Sequence, residues 1–216
     1  MKLLQQIVIM TIFAAILNFL GCSEKPKKQD ELSKETSEQR KQSVEAFKNR
    51  PIHKELTEKT IDSTSDENLL QVVFDNLSEK LPADYEKEYE MVMTWNQSRQ
   101  AIYLIWLLEA EVNNGGYNQF YFNSSGQFYK LLPGALRLVG ANRFAKLTKK
   151  ANDIYEKESK KIKKHQDGTL EGFSKSYEDN PLNDFDDKFY TLYNDENLQQ
   201  LQVYFIRKHK INFCDK

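Results

Sequence analysis

One uninterrupted apolar run constrains the fold more than any other feature of this sequence. Between Trp95 and Asn113 there is neither proline nor glycine, and every residue from 101 to 108 is apolar or aromatic. Apolar positions that cover nearly the whole circumference of a helix are typical of a helix buried on all sides. The sequence therefore predicts a central buried helix over residues 95–113, which Gly115-Gly116 would end with a left-handed cap.

The remainder of the folded region also has helical spacing. Residues 64–67 have the form of a capping box with Thr64 as the N-cap, and the apolar residues that follow are spaced by one, three and four as far as Pro82. Further helices are indicated over residues 84–93, 117–123, 127–139, 142–163, 182–193 and 198–206. No stretch alternates with period two, so strands are not expected. The predicted class is all-α, a single domain of six to eight helices around the central one.

The first 22 residues are arranged as an export signal. Lys2 precedes an apolar run from Leu3 to Leu20, and Gly21 and Cys22 follow. A cysteine directly after a small residue is typical of a bacterial lipoprotein signal, in which the cysteine is acylated and becomes the mature N-terminus. An uncleaved membrane anchor is the alternative, since a run of about 18 residues is near the lower limit for one. We expect palmitate-type acylation of Cys22, attachment to a membrane, and a location in the cell envelope outside the cytoplasm.

Composition divides the chain into three parts. Residues 1–21 form the signal peptide, residues 22–63 are polar and highly charged, and residues 64–212 carry the regular apolar spacing. The middle part has little to bury and is predicted to be a solvated tether. With Cys22 assigned to the lipid, Cys214 is the one cysteine left, so an intramolecular disulfide is not expected.

A polar block at the end of the central helix resembles a known family. From Leu108 to Asn123 the chain reads Leu-Glu-Ala-Glu-Val-Asn-Asn-Gly-Gly-Tyr-Asn-Gln-Phe-Tyr-Phe-Asn. An acidic helix end followed by Asn-Gly-Gly, an aromatic residue, Gln, an aromatic pair and Asn is similar to the hallmark of a bacterial domain of unknown function named after a DNA mimic protein. Residues 135–141 and 182–207 are similar to later parts of that family. The resemblance covers roughly residues 66–210.

The resemblance implies a helical domain that binds a partner. For the member that gives the family its name, it implies a dimer whose acidic side chains imitate DNA phosphates toward a DNA-binding regulator. Here 31 Lys and Arg nearly balance 32 Asp and Glu, whereas duplex DNA carries one charge per ~1.7 Å. An exported domain would also be out of reach of a cytoplasmic regulator. DNA mimicry is therefore the alternative that applies if the signal is not used, and a homodimer remains an option.

The polar residues of the block allow two interpretations. The set comprises Glu109, Glu111, Asn113, Asn114, Gly115, Gly116, Tyr117, Gln119 and Asn123. Convergent carboxylates and amides could form the pocket of a small-ligand binder or hydrolase. Alternatively, the amides satisfy backbone groups at helix ends. Glu109 and Glu111 are two residues apart on a helix and so point to different faces.

No pattern in the sequence indicates a catalytic residue, a metal site or a cofactor. His53, His165 and His209 are far apart and lack a second ligand at zinc spacing. The glycine pair is not followed by the Lys-Ser/Thr of a phosphate loop. Ser124-Ser125-Gly126 lacks the frame of a nucleophile elbow.

Charge is distributed unevenly in the C-terminal half. Residues 143–164 contain nine Lys and Arg against three Asp and Glu, and residues 171–196 contain eight Asp and Glu against two Lys. Both can be ordinary solvated faces, but neighbouring regions of opposite sign would steer a charged partner. The candidate partner-binding residues are Glu178, Asp179, Asp184, Asp186 and Asp187. The predicted function is a lipid-anchored, extracytoplasmic helical domain of inhibitor or immunity type that binds another protein, not nucleic acid, and catalyses no reaction.

Overall fold

The structure is a computed structural model that describes residues 41–165, 167, 169–178 and 180–215. Cys22, the predicted signal peptide and Asp179 therefore lie outside the described residues. The chain divides into two compact units, Met1–Pro51 and Ile52–Lys216. In the described part of the first unit, residues 41–48 are helical and the Arg50 guanidinium lies 3.6 Å from the centre of the Phe47 ring.

Ten α-helices make up most of the described part of the second unit. They are α1 Glu58–Ser63, α2 Asp66–Glu79, α3 Glu88–Thr94, α4 Gln97–Phe122, α5 Leu132–Leu138, α6 Asn142–Lys157, α7 Ser159–Lys163, α8 Leu170–Lys175, α9 Asn183–Leu192 and α10 Leu198–Lys208. Short 3-10 helices lie at Tyr85–Lys87, Ser124–Phe128 and Lys210–Asn212.

The predicted all-α class is confirmed, because no strand occurs among the described residues. The helices outnumber the six to eight predicted. Several are only one or two turns long, and such short helices leave little periodic signal in a sequence. Within the described part of the chain, no helix is both long enough and apolar enough to span a membrane.

Among the three longest described helices, the N-cap residue provides a side-chain cap only at α4, and the cap predicted for α2 is not seen. At α4 the Asn96 side chain accepts a hydrogen bond from Arg99 N, which satisfies one of the free N–H groups of the first turn. The capping box predicted at Thr64 does not form. Ser65 is the N-cap residue of α2, and Thr64 ends α1 by donating its hydroxyl to Thr60 O at 2.7 Å. The unpredicted helix α1 therefore gives Thr64 a different role.

Helix α4 forms the centre of the unit. It packs against α2, α5 and α9, and Ile102, Ile105 and Leu108 are completely buried. It runs over Gln97–Phe122 instead of stopping near residue 113. Gly115 (φ −160°, ψ 29°) and Gly116 (φ 72°, ψ −177°) leave the helical conformation but the chain then resumes it. The predicted stop is therefore a kink between two helical parts.

Aromatic side chains fill much of the core both before and after the kink in α4. Phe74 stacks on Trp106 with ring centres 4.4 Å apart and on Tyr103 at 5.7 Å. Beyond the kink, the Tyr117 ring meets Phe189 edge-to-face at 5.8 Å. Such pairs contribute about 0.5–1.5 kcal/mol each beyond the burial of their area.

Asp215 joins the two ends of the compact unit. Its carboxylate accepts hydrogen bonds at 2.9–3.0 Å from Leu56 N, Asn76 Nδ2, Lys80 Nζ and Arg99 Nη2. Burial raises the pKa of Asp215, but these donors outweigh it and lower the pKa to about 2. Leu56 and Ile61 are buried, so the segment from Ile52 to residue 63, which the sequence analysis placed in the tether, packs with the helical domain.

Candidate functional site

Two tyrosines donate hydrogen bonds to backbone carbonyls at the kink in α4. Tyr190 of α9 donates its hydroxyl to Val112 O at 2.7 Å. Tyr177, which follows α8, donates to Gly115 O at 2.7 Å. Helix ends need such partners because their last carbonyls have no donor within the helix. Hydrogen bonds at the kink therefore link the family motif to the C-terminal segment of the chain.

Asp186 caps the second part of the kinked helix. Its Oδ1 accepts a hydrogen bond of 2.8 Å from Tyr117 N, in the way a carboxylate caps a helix N-terminus. The carboxylate lies so close to Gly116 that a Cβ there would clash with Asp186 Oδ2. Both this approach and the positive φ of 72° require glycine at position 116. Asp186 is thus engaged inside the fold, although the sequence analysis proposed it for a partner.

The pKa of Asp186 is raised to about 6. Burial is the main cause, the hydrogen bond from Tyr117 N opposes it, and the neighbouring Asp187 carboxylate adds to it. Tyr177 and Tyr190, which lie close by, have pKa values raised mainly by their own burial. Asp186, Tyr177 and Tyr190 are therefore partly desolvated together beside the kink.

Glu111 bridges the two parts of α4. Its carboxylate accepts from Gln119 Nε2 at 2.7 Å, from Asn123 Nδ2 at 2.8 Å and from Ser125 Oγ at 2.8 Å. Asn114 Nδ2 in turn donates to Gln119 Oε1 at 3.0 Å. These residues of the motif bond to one another across the kink, side chain to side chain.

Glu109 faces a different set of neighbours. It accepts from Tyr193 Oη at 2.7 Å and from Gln202 Nε2 at 2.8 Å, and Asn113 is a further hydrogen-bond partner of Tyr193. Burial raises the pKa of Glu109, against the effect of its two donors. The carboxylates of Glu109 and Glu111 therefore do not converge on one point. No group of three or more His, Cys, Asp or Glu among the described residues is placed to hold a metal ion.

A buried amide network, centred on Asn118, holds the segment before α9. Asn118 Nδ2 donates to Ser176 Oγ and Asn118 Oδ1 accepts from Asn180 Nδ2, both at 2.7 Å. Asn180 Oδ1 accepts from Leu182 N at 2.9 Å. Sequence reasoning noted Asn118 but missed Asn180 and the two tyrosines of the kink. The tyrosines that recur among the acidic residues of 171–196 are the sequence feature that could have indicated these two partners.

Several acids of residues 171–196 are used within the fold. Glu171 pairs with Lys175 at 2.6 Å on α8, and Asp195 pairs with Arg143 at 2.7 Å. Glu196 accepts from two backbone N–H groups at the start of α6. These contacts neutralise part of the negative charge that the sequence shows.

Three exposed carboxylates of this segment take no part in these contacts, and we call them the acidic face: Glu178, Asp184 and Asp187. No cation of the described residues lies within ion-pair distance of them. Asp184 and Asp187 are three residues apart on α9, so they share one side of the helix. Asn183 Nδ2 donates to Tyr177 O at 3.0 Å, which holds the turn carrying Glu178 beside the start of α9. Asp179 lies outside the described residues.

Comparison with models of protein families shows to which family the chain is similar. The model of the DMP19-like protein family matches residues 93–209, more than half of the chain. The chain belongs to the DMP19-like protein family. The match confirms the resemblance and contains the kink, its tyrosine partners and the acidic face, although it begins later than the residue 66 expected. No curated protein and no solved structure is similar enough to the chain to count as a match.

Membership of this family of DNA mimic proteins suggests a non-catalytic, protein-binding role. The contacts at the kink agree with such a role. The carboxylates and amides that a small-ligand binder or hydrolase would use are engaged with one another and with backbone groups. The acidic face, by contrast, keeps its charges available to a partner.

Proposed function

We propose that the chain is a lipid-anchored, extracytoplasmic binding protein of inhibitor or immunity type. Acylated Cys22 would hold it on a bacterial membrane outside the cytoplasm, and the acidic face would contact another protein. The family supports binding without catalysis. The arrangement of residues 1–22 supports the anchor.

One observation carries the choice of surface. Among the acids of residues 171–196, the acidic face alone combines exposure with the absence of any ion pair or helix-capping contact in the described part of the chain. Uncompensated exposed charge raises the association rate with a partner of opposite sign and discriminates against partners of the same sign. The expected partner surface is therefore basic.

Capture of partners from envelope extracts tests the surface. Asp184→Lys/Asp187→Lys reverses two charges of the acidic face without touching Asp186. Glu86→Lys/Glu90→Lys is the matched control, because it makes the same charge change at exposed residues outside that face. A like-charge contact costs a few kcal/mol, so we expect the first variant to bind the captured partner at least about tenfold more weakly. The control should bind like the wild type.

Equal thermal midpoints of the two variants would show that folding is not the cause of any difference. Capture of no envelope protein by the wild type, or equal capture by both variants, would contradict the proposal.

Labelling with radioactive palmitate tests the anchor separately. The wild-type chain should incorporate label and fractionate with membranes, and Cys22→Ala should do neither. Label in both chains, or in neither, would show that Cys22 is not the site of acylation.

A second candidate function follows from family membership. If Cys22 is not acylated, the same acidic face would bind a DNA-binding regulator in the cytoplasm by imitating phosphates. A chain that incorporates no palmitate should then capture a protein from cytoplasmic extracts, and competing duplex DNA should release that protein. This result would favour the second function over the envelope function.

A further inference from the structure

A shallow groove of about 410 Å³ lies between the end of α5 and one side of α6. Four of the residues that line it are cations: Arg137 of α5 and Lys146, Lys149 and Lys150 of α6. Lys149 and Lys150 come three and four residues after Lys146, so the three lysines share one side of the helix. All four cations are exposed.

The charges of this basic groove are largely uncompensated. Asp153, which also lines it, pairs with Lys149 at 2.8 Å. For Arg137, Lys146 and Lys150, no carboxylate of the described residues lies within ion-pair distance. Neighbouring cations repel one another, and an anionic ligand would relieve that repulsion.

Exposed cations continue along the chain beyond the groove. Lys157, Lys160, Lys163 and Lys164 all remain accessible on α6, α7 and the turn that follows. The acids among them are few, since residues 143–164 carry three in all. The region therefore offers several ammonium groups in addition to the four cations that line the groove.

We propose that the basic groove binds the phosphate headgroups of anionic phospholipids on the membrane that carries the chain; this proposal rests on the anchoring of the proposed function. An open, shallow groove suits a planar surface, whereas sites for single small molecules are usually more enclosed. Each Lys or Arg near an anionic leaflet contributes about 1 kcal/mol, so the four groove cations together provide a weak but sufficient contact.

A membrane fits the charge pattern better than a long polyanion does. Residues 171–196 carry eight acids, which would repel a nucleic acid that wraps around the unit, whereas a flat surface can meet one side alone. Attachment through Cys22 would also make the headgroup contact intramolecular. Its effective concentration is then high, and a weak interaction is occupied most of the time.

Lysine acetylation on vesicles tests the groove in the full chain. Protein extracted with detergent from membranes of expressing bacteria is reconstituted in vesicles of phosphatidylcholine alone, or with about one third phosphatidylglycerol. Mass spectrometry after brief acetylation gives a rate for each lysine. We expect Lys146, Lys149 and Lys150 to react about threefold or more slowly on the anionic vesicles, and salt at about 0.5 M to abolish the difference. The exposed Lys175 and Lys208 should react equally on both.

Paired variants provide the control. Lys146→Gln/Lys150→Gln should return the rate of Lys149 on anionic vesicles to its value on neutral ones, and Lys175→Gln/Lys208→Gln should not. Equal rates on the two vesicle types, or equal slowing at the control lysines, would overturn the proposal.

Failure of the anchor and failure of the groove give different results. If the expressed chain is absent from membranes, the anchoring proposal is wrong, and purified chain is then mixed with the same preformed vesicles. Sedimentation with anionic vesicles that Lys146→Gln/Lys150→Gln abolishes would still support the groove. Sedimentation that does not depend on the anionic lipid or on these lysines would overturn it.

Discussion

Asp186 and Asp215 hold two regions of the same unit with the same kind of bond, yet they have opposite electrostatic character. Each accepts a hydrogen bond from a backbone N–H, Tyr117 for one and Leu56 for the other. Burial and a neighbouring carboxylate raise the pKa of Asp186 to about 6. Burial also raises the pKa of Asp215, but the hydrogen bond from Leu56 N and those from the Lys80, Asn76 and Arg99 side chains outweigh it and lower the pKa to about 2. Since both carboxylates accept a backbone hydrogen bond, the additional side-chain donors at Asp215 and the neighbouring carboxylate at Asp186 account for the opposite directions of the two pKa shifts.

The largest effect is expected at the Asp215 contact. Asp215→Ala removes the acceptor of four donors and leaves Lys80 and Arg99, whose side chains are 24% and 14% exposed, without a counter-charge. Partly buried cations without a counter-charge and the loss of four hydrogen bonds cost about 2–4 kcal/mol together. Urea unfolding should show the free energy of unfolding reduced by about 3 kcal/mol. A loss below about 0.5 kcal/mol would mean that the contact contributes little to holding the ends together.

The kink should be the next most sensitive position. Gly116→Ala introduces a Cβ that meets the Asp186 carboxylate at a backbone φ that only glycine adopts readily. We expect a loss of about 2 kcal/mol in the free energy of unfolding. In the Asp186→Ala background the same substitution should cost about 1 kcal/mol less, because the clash is gone. Equal costs in both backgrounds would argue against the close approach.

Asp186→Asn should have a smaller effect of opposite sign. The amide oxygen still accepts from Tyr117 N, while the desolvated charge is removed. The folded-state pKa of Asp186 is above its unfolded value, so the wild type loses stability as pH rises from about 4 to 6. After allowance for solvent screening, the variant should be about 1 kcal/mol more stable than the wild type at pH 7 and equal to it near pH 4.

Thermal unfolding across this pH range measures the difference, and Asp215→Asn is the contrasting variant. The folded-state pKa of Asp215 is below its unfolded value, so its charge stabilises above about pH 4 and that stability is lost as pH falls toward 2. Asp215→Asn should therefore be less stable than the wild type at pH 7 and approach it in acid. If the stability of both variants relative to the wild type depended on pH in the same way, the opposite pKa shifts of Asp186 and Asp215 would be refuted.

The smallest effect is expected at Asp187, on the exposed side of the same helix. Asp187→Asn should change the free energy of unfolding by less than about 0.5 kcal/mol. It should lower the pKa of Asp186 slightly, because one neighbouring negative charge is gone. Carboxylate titration by NMR would detect the shift, and an unchanged value would mean that Asp187 is too well screened to matter.

The sequence predicts elements whose signal is local. The burial of α4 follows from its apolar run, and the family motif is readable in residues 108–123. Helix α1 was missed because a single buried residue, Ile61, gives it no periodicity. The glycine pair predicts a stop because glycines commonly end helices, and only the structure shows that the short aromatic helix predicted after it continues α4.

The partners of the candidate site could not be predicted in the same way. Tyr177 and Tyr190 bond to carbonyls 62 and 78 residues earlier in the chain. Such contacts depend on how α9 packs against α4, which composition and periodicity do not specify. The sequence indicates five candidate partner-binding acids. Only the hydrogen bonds and ion pairs of the structure show that Asp186 is engaged at the kink while the acidic face remains exposed.

The contact between Leu56 and Asp215 brings residues near the two ends of the compact unit within hydrogen-bond distance of each other. Leu56 N donates to Asp215 Oδ2 at 2.9 Å, and Asp215 N donates back to Leu56 O at 2.8 Å. A few residues would suffice to join these two positions covalently. The unit is therefore suited to circular permutation, with new ends opened in an exposed turn between helices. In such a permuted chain a fused lipid anchor could enter at a site of the experimenter's choice.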